Sequence, residues 1–117
     1  KNKLFLKYYT MVVNGGLWLD SEIKLGVSMS EMSSFITKNI DVAYCYNNLH
    51  DAKIILSKPN NQFFKKAIYI LKNNKNNTSI KMKKLTDLNY SRDNFHHCTF
   101  HDLTDMVSIK RISKREQ

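Results

Sequence analysis

Phe63-Phe64-Lys65-Lys66-Ala67-Ile68-Tyr69-Ile70-Leu71 is the stretch on which the fold turns. Its apolar residues at 63, 64, 67, 68 and 71 repeat at the spacing that lays one stripe along a buried helix face. Its second half, Ile68-Tyr69-Ile70-Leu71, is equally a short β-branched and aromatic run of the kind that forms strands. From these residues alone both readings stay open.

Toward the C-terminus, Lys72-Asn73-Asn74-Lys75-Asn76-Asn77 reads as a low-complexity, solvated loop. Ile80, Met82 and Leu85 then alternate with Lys81, Lys83 and Lys84, as on a half-buried strand with a cationic outer face. Met106 to Ile112 reads as a last strand, with Val107 and Ile109 on one side and Ser108 and Lys110 on the other. Toward the N-terminus, residues 47–61 are mostly polar and end in Lys58-Pro59-Asn60-Asn61, the chemistry of a turn. Ile23 to Tyr46 is rich in strand formers, with Gly26 as a bulge. Tyr8 to Val13, then Asn14-Gly15-Gly16, then Leu17 to Leu19 reads as strand, tight turn and strand, because Asn-Gly supplies positive φ angles. Four to six short strands with long loops predict an all-β fold, a small antiparallel barrel.

Charge is the strongest global signal. The 117 residues hold 19 Lys+Arg against 10 Asp+Glu, a formal net charge of +9. Such an excess repels itself in isolation and is better accommodated against a polyanion, where neutralised phosphates release counterions. No stretch reads as a basic amphipathic helix, so a membrane is not an expected partner. No apolar run approaches the roughly 20 residues that span a bilayer. Cys45 and Cys98 have no CxxC partner; one disulfide between them is the alternative, and inert thiols of a reducing compartment are the expectation. The chain opens at Lys1 rather than Met, as a processed protein does.

Three segments, in order, carry a resemblance. Gly26-Val27-Ser28-Met29-Ser30-Glu31-Met32 is followed by Phe63-Phe64-Lys65-Lys66-Ala67-Ile68. A third runs from Arg92-Asp93 through Cys98 and Asp102 to Lys110 and Ile112-Ser113-Lys114. This trio resembles the bacterial and organellar ribosomal small-subunit protein seventeen family. Its opening strand, middle Lys-Lys stretch and closing Cys, Asp and Ser-Lys positions match in sequence order. The chain departs from the pattern at His101, where the family has glycine, at Ser33 and Ser34, where it has a basic residue, and at Arg111, where it has proline.

The resemblance implies a five-stranded oligonucleotide-binding-type barrel over residues 23–117. Residues 1–22 would be an N-terminal hairpin extension, with loop insertions at about 47–60 and 72–90. It implies a structural constituent of the small ribosomal subunit, bracing rRNA beside neighbouring ribosomal proteins in a mitochondrial ribosome, or in that of a plastid-type organelle. No reaction, cofactor or small-molecule substrate is implied. The expected RNA contacts are Lys65, Lys66, Lys72, Lys75, Lys81, Lys83, Lys84, Arg92, Lys110, Ser113, Lys114 and Arg115. Cations of this kind follow phosphates and position a protein without reading sequence. The competing readings are a free nucleic-acid-binding barrel module and a non-catalytic scaffold subunit of another large complex.

His96-His97-Cys98-Thr99-Phe100-His101 invites a metal reading. Structural zinc needs four ligands on two separate turns, and a second pair is missing unless Cys45 or His50 supplies it. A loop cluster facing phosphate or water is the expectation instead. Asp102 with Asp105, or Cys98 with His97, could mimic catalytic pairs, but catalysis needs such groups oriented in a water-restricted pocket. Asp102 and Asp105 are expected to cap a turn. Trp18, Tyr8 and Tyr9 are expected in the core or at a protein interface.

Overall fold

A computed structural model describes residues 2–21, 23–26, 28–36, 40–45, 49, 52–92, 95, 98–104 and 109–111. The stretch from Phe63 to Leu71 is a helix. Among the described residues, four helices and six strands follow the order α1 (Asn2–Val13), β1 (Gly16–Leu19), β2 (Ile23–Leu25), α2 (Met29–Ser34), β3 (Val42–Tyr44), β4 (Ile54–Ser57), α3 (Gln62–Asn73), α4 (Thr78–Tyr90), β5 (Phe100–Asp102) and β6 (Ile109–Arg111). The all-β barrel is therefore overturned in favour of a mixed α/β fold built on an open four-stranded sheet.

The sheet runs β1-β4-β3-β5, and a separate pair joins β2 to β6. β4 is central, antiparallel to β1 and to β3, with Leu56 opposite both Leu17 and Ala43, and Ile55 opposite Trp18 and Tyr44. β5 lies parallel to β3, Val42 beside Phe100 and Tyr44 beside Asp102. All residues of β3 and β4 are buried, because both faces of the sheet are covered. On one face Val42, Tyr44 and Ile55 join Tyr8 and Met11 of α1, five residues of α3, and Leu85 and Leu88 of α4. On the other, Ala43, Cys45, Ile54 and Leu56 meet Ile23, Met32 and Leu103. A strand covered on both sides reads as a continuous apolar run, and Ile54-Ile55-Leu56 is one.

Each departure from the sequence expectation has a local cause. α3 wins over the strand alternative because Phe63, Phe64, Ala67, Ile70 and Leu71 all reach the core from one helix face. A strand would have turned alternate members to water. Asn61 starts α3, its Oδ1 accepting from Phe63 N at 2.8 Å. Phe63 then becomes an aromatic hub, its ring 5.4–5.5 Å from those of Phe64, Phe95 and Phe100. Burying such side chains is worth roughly 1.5–3 kcal/mol each.

Tyr8 to Val13 belongs to α1, not to a hairpin strand. Tyr8 and Met11 are fully buried, and the Tyr8 ring stacks on Phe64 at 5.4 Å. Asn14-Gly15-Gly16 ends this helix: Gly15 N donates to Met11 O at 3.1 Å. Gly15 takes φ +64, the left-handed conformation that follows many helices. The first resembling segment holds α2 where the family has its opening strand. Ser28 caps it: its Oγ accepts from Glu31 N at 3.1 Å and donates to the Glu31 carboxylate at 3.4 Å. The alternation at 80–85 lies in α4, begun by Asn77, whose Oδ1 accepts from Ile80 N at 3.0 Å. The stretches 47–60 and 72–90, expected as loop insertions, contain β4 and α4. The last strand is present as β6, its backbone pairing Lys110 with Lys24.

Candidate nucleic-acid interface

Residues 62–90 carry seven lysines and one acid, Asp87, a balance of +6 out of the chain's +9. α3 and α4 hold this segment as two helices joined by a short turn, in which Asn77 N donates to Asn74 O at 3.0 Å. Helices joined so briefly pack as antiparallel neighbours. With the apolar face of α3 committed to the sheet, the hairpin's charge is left outside. Lys65, Lys66, Lys72, Lys75, Lys83 and Lys84 are exposed, and Lys81 is half-buried.

Among the described residues, the lysine–carboxylate pairs lie elsewhere. Lys53 Nζ is 3.5 Å from Asp20 and Lys58 Nζ is 3.6 Å from Asp41. None of the seven hairpin lysines has such a partner there. Solvent-facing ammonium groups at this density, without carboxylates to neutralise them, are poised for an external polyanion.

A groove of about 590 Å³ runs between the two helices. One wall is the α3 stripe Lys66, Tyr69, Ile70 and Asn73, with Asn74 beyond it; the other is Lys84, Asp87 and Leu88 of α4, followed by Ser91. Both stripes step by three, four and seven residues, so each is a single helix face. Tyr69 is 60% exposed, and Lys66 Nζ sits 5.0 Å from its ring centroid. Asn73 Nδ2 donates to Tyr69 O at 2.9 Å and Asn74 Nδ2 to Ile70 O at 3.0 Å. Each amide thus spends a donor on its own helix and keeps its oxygen as an acceptor. Sequence reasoning found the lysines but not Tyr69, Asn73, Asn74 or Asp87. The helical stripe 66-69-70-73 was the signal for Tyr69 and Asn73, and 84-87-88 for Asp87, hidden while both segments could also be strands.

The other expected contacts fall differently. The Arg92 guanidinium lies 5.1 Å over the ring of Tyr44, which is buried, so it packs on the core instead of joining the hairpin lysines. Lys110 sits in β6, away from the hairpin in sequence and pairing. Ser113, Lys114 and Arg115 lie outside the described residues, as do His50, His96, His97 and Asp105.

Chemistry at the thiols is quiescent. Burial pushes the Cys45 thiol up from 9.0 to about 11, with the Asp102 carboxylate adding to it. Burial also raises the Cys98 thiol; the Asn61 hydrogen bond works against this and the charge of Asp41 with it. A nucleophilic cysteine needs the reverse, a thiol lowered toward neutrality. Asp102 caps its turn as expected, accepting from Thr104 N at 2.9 Å. Among the described residues no three His, Cys, Asp or Glu side chains come together as a metal site. No described helix is long and apolar enough to cross a membrane. Comparison with protein-family models and with curated proteins finds no match to this chain.

Proposed function

We propose that this protein is a non-catalytic RNA-binding subunit of a ribonucleoprotein particle, and that α3 and α4 form its RNA-binding face. The observation that carries the reading is the set of seven lysines on one helical hairpin, exposed but for half-buried Lys81, without carboxylate partners among the described residues. Each lysine that neutralises a phosphate releases a condensed counterion and adds to affinity without demanding a sequence.

The particle we propose is the small subunit of a mitochondrial ribosome, with a plastid-type organelle as the alternative. That placement rests on the three ordered segments and on the basic charge. The fold lends it no support, because the resembling family's barrel is replaced by an open sheet. Sedimentation of an organelle extract, with the chain tracked across the gradient before and after RNase, tests it. Co-migration with the small subunit and release by RNase are the expected results. Persistence in the light fractions would leave a free RNA-binding protein.

A second reading, a scaffold subunit, is favoured by one observation. Leu6, Tyr9 and Val13 are each more than half exposed on one side of α1. Such a stripe suits contact with a neighbouring protein. The two readings are compatible within one particle.

A further inference from the structure

We propose that the α3–α4 groove takes a single unpaired guanine of the RNA, with Asp87 reading the base and Tyr69 stacking on it. The inference rests on the RNA-binding reading and deepens it. Its starting point is the placement of the only acid of residues 62–90. A surface that served phosphates alone would gain nothing from a carboxylate, yet Asp87 lines the groove, on a wall that also carries a lysine. Asp87 and Lys84 share the α4 wall, and no contact within 4.0 Å joins the Asp87 carboxylate to a lysine among the described residues.

A carboxylate is an acceptor only, so its partner must be a donor edge. Among the RNA bases, guanine alone presents two adjacent donors, N1–H and N2–H, spaced for both oxygens of one carboxylate. Adenine and cytosine each offer one amino donor beside a ring acceptor, which the carboxylate repels. Uracil offers one imide donor flanked by two carbonyls. Asn73 and Asn74 each add an amide oxygen and a remaining N–H to the α3 wall.

The remaining groups of the groove suit the rest of a nucleotide. Tyr69, with Lys66 over its ring, still exposes more than half of its surface for stacking, the sequence-tolerant part of single-strand recognition. Lys66 and Lys84 flank the base on opposite walls, where the phosphates on either side of a splayed nucleotide would lie. A groove of about 590 Å³ is within the ordinary range for a small ligand site and is ample for one nucleoside.

The test is fluorescence anisotropy of the full chain with labelled pentaribonucleotides that differ only at the central base, UUGUU, UUIUU (inosine), UUAUU and UUUUU, at low salt. UUGUU is expected to bind at least about tenfold tighter than UUAUU or UUUUU, the scale of one bidentate contact. Inosine, which lacks the N2 amino group, should fall between. Asp87→Asn, at an exposed position, should abolish the guanine preference while leaving binding of UUUUU equal or stronger. Tyr69→Ala should weaken all four RNAs about tenfold. Equal affinity for the four RNAs, or a guanine preference that survives Asp87→Asn, overturns the guanine site and leaves phosphate binding by the hairpin standing. Absence of salt-sensitive binding to any of them overturns the RNA-binding reading and this inference with it.

Discussion

Asn61 ties α3 to the segment that precedes β5: its Oδ1 accepts from Phe63 N at 2.8 Å while its Nδ2 donates to Cys98 Sγ at 3.1 Å. One buried amide therefore starts the helix that carries three of the seven hairpin lysines and anchors the chain returning to the sheet. Asn61→Ala removes the cap and the sulfur bond together and should cost about 1–2 kcal/mol. The measurement is the urea midpoint at unchanged m-value. Cys98→Ala should cost less, because the cap survives it.

Gly15 and Gly16 are neighbours with different tolerances. A Cβ on Gly15 would lie 2.8 Å from both Ser57 O and Pro59 N, on a backbone already at φ +64. One on Gly16, at φ +88, meets nothing within 4 Å. Gly16→Ala should cost about 1 kcal/mol, the left-handed penalty alone. Gly15→Ala should cost clearly more, since the helix end must part from the β4–α3 turn. Paired thermal or urea melts would show the difference.

Alkaline titration should destabilise this protein through Cys45. The thiol's ordinary value of 9.0 is raised to about 11 in the folded protein. The native state therefore holds this proton more tightly than the unfolded chain does. The contribution is complete below about pH 9 and vanishes as pH rises through about 11, up to roughly 2–3 kcal/mol. The comparison is with Cys45→Ala, which isolates the thiol's share of the pH dependence. The stability difference between parent and variant should shrink between about pH 8 and about pH 11. The same burial predicts that Cys45 reacts with a thiol reagent at mildly alkaline pH only after denaturation.

The hairpin lysines and Arg92 should separate in one experiment. Neutralising Lys65, Lys66, Lys72 and Lys84 to Gln should flatten the log–log salt dependence of RNA binding by about 0.7–0.9 for each phosphate left without its cation. Folding stability should stay within about 0.5 kcal/mol per site. Arg92→Gln should do the reverse. Its guanidinium covers Tyr44 at 5.1 Å, so the variant should be less stable by about 0.5–2 kcal/mol and keep most of the salt slope. An unchanged slope in the four-lysine variant would move the RNA-binding face elsewhere on the surface.

Phe63 is the aromatic residue whose removal should cost most. Its ring meets Phe64, Phe95 and Phe100 edge-on, and it is fully buried. Phe63→Ala should destabilise by about 3–5 kcal/mol. Exposed Tyr69→Ala should change stability by less than about 0.5 kcal/mol. Urea melts of the two variants make the contrast within one helix.

The features legible in the chain alone are those that need no distant partner. The +6 of residues 62–90 is a count, and lysines at that density stay mostly at the surface, as all but half-buried Lys81 do. Turn chemistry was legible too: Pro59-Asn60 is a turn, with Asn60 at φ +61, and Gly15 and Gly16 take positive φ. Whether Asn14-Gly15-Gly16 closes a hairpin or ends a helix depends on what Tyr8 and Met11 pack against. For Tyr8 that is Phe64, far along the chain. The same holds for Ile68 to Leu71, whose β-branched run is a good strand in isolation. Tertiary packing made it a helix, because only helical spacing brings Phe63, Phe64, Ala67, Ile70 and Leu71 together against the sheet. Packing also made Ile54 to Ser57 the centre of the sheet and set β5 parallel to the distant β3. The groove follows from that choice, since Tyr69 and Asp87 share it only when both segments are helices. Local propensity differs by a few tenths of a kcal/mol per residue between helix and strand, and one buried phenylalanine outweighs it.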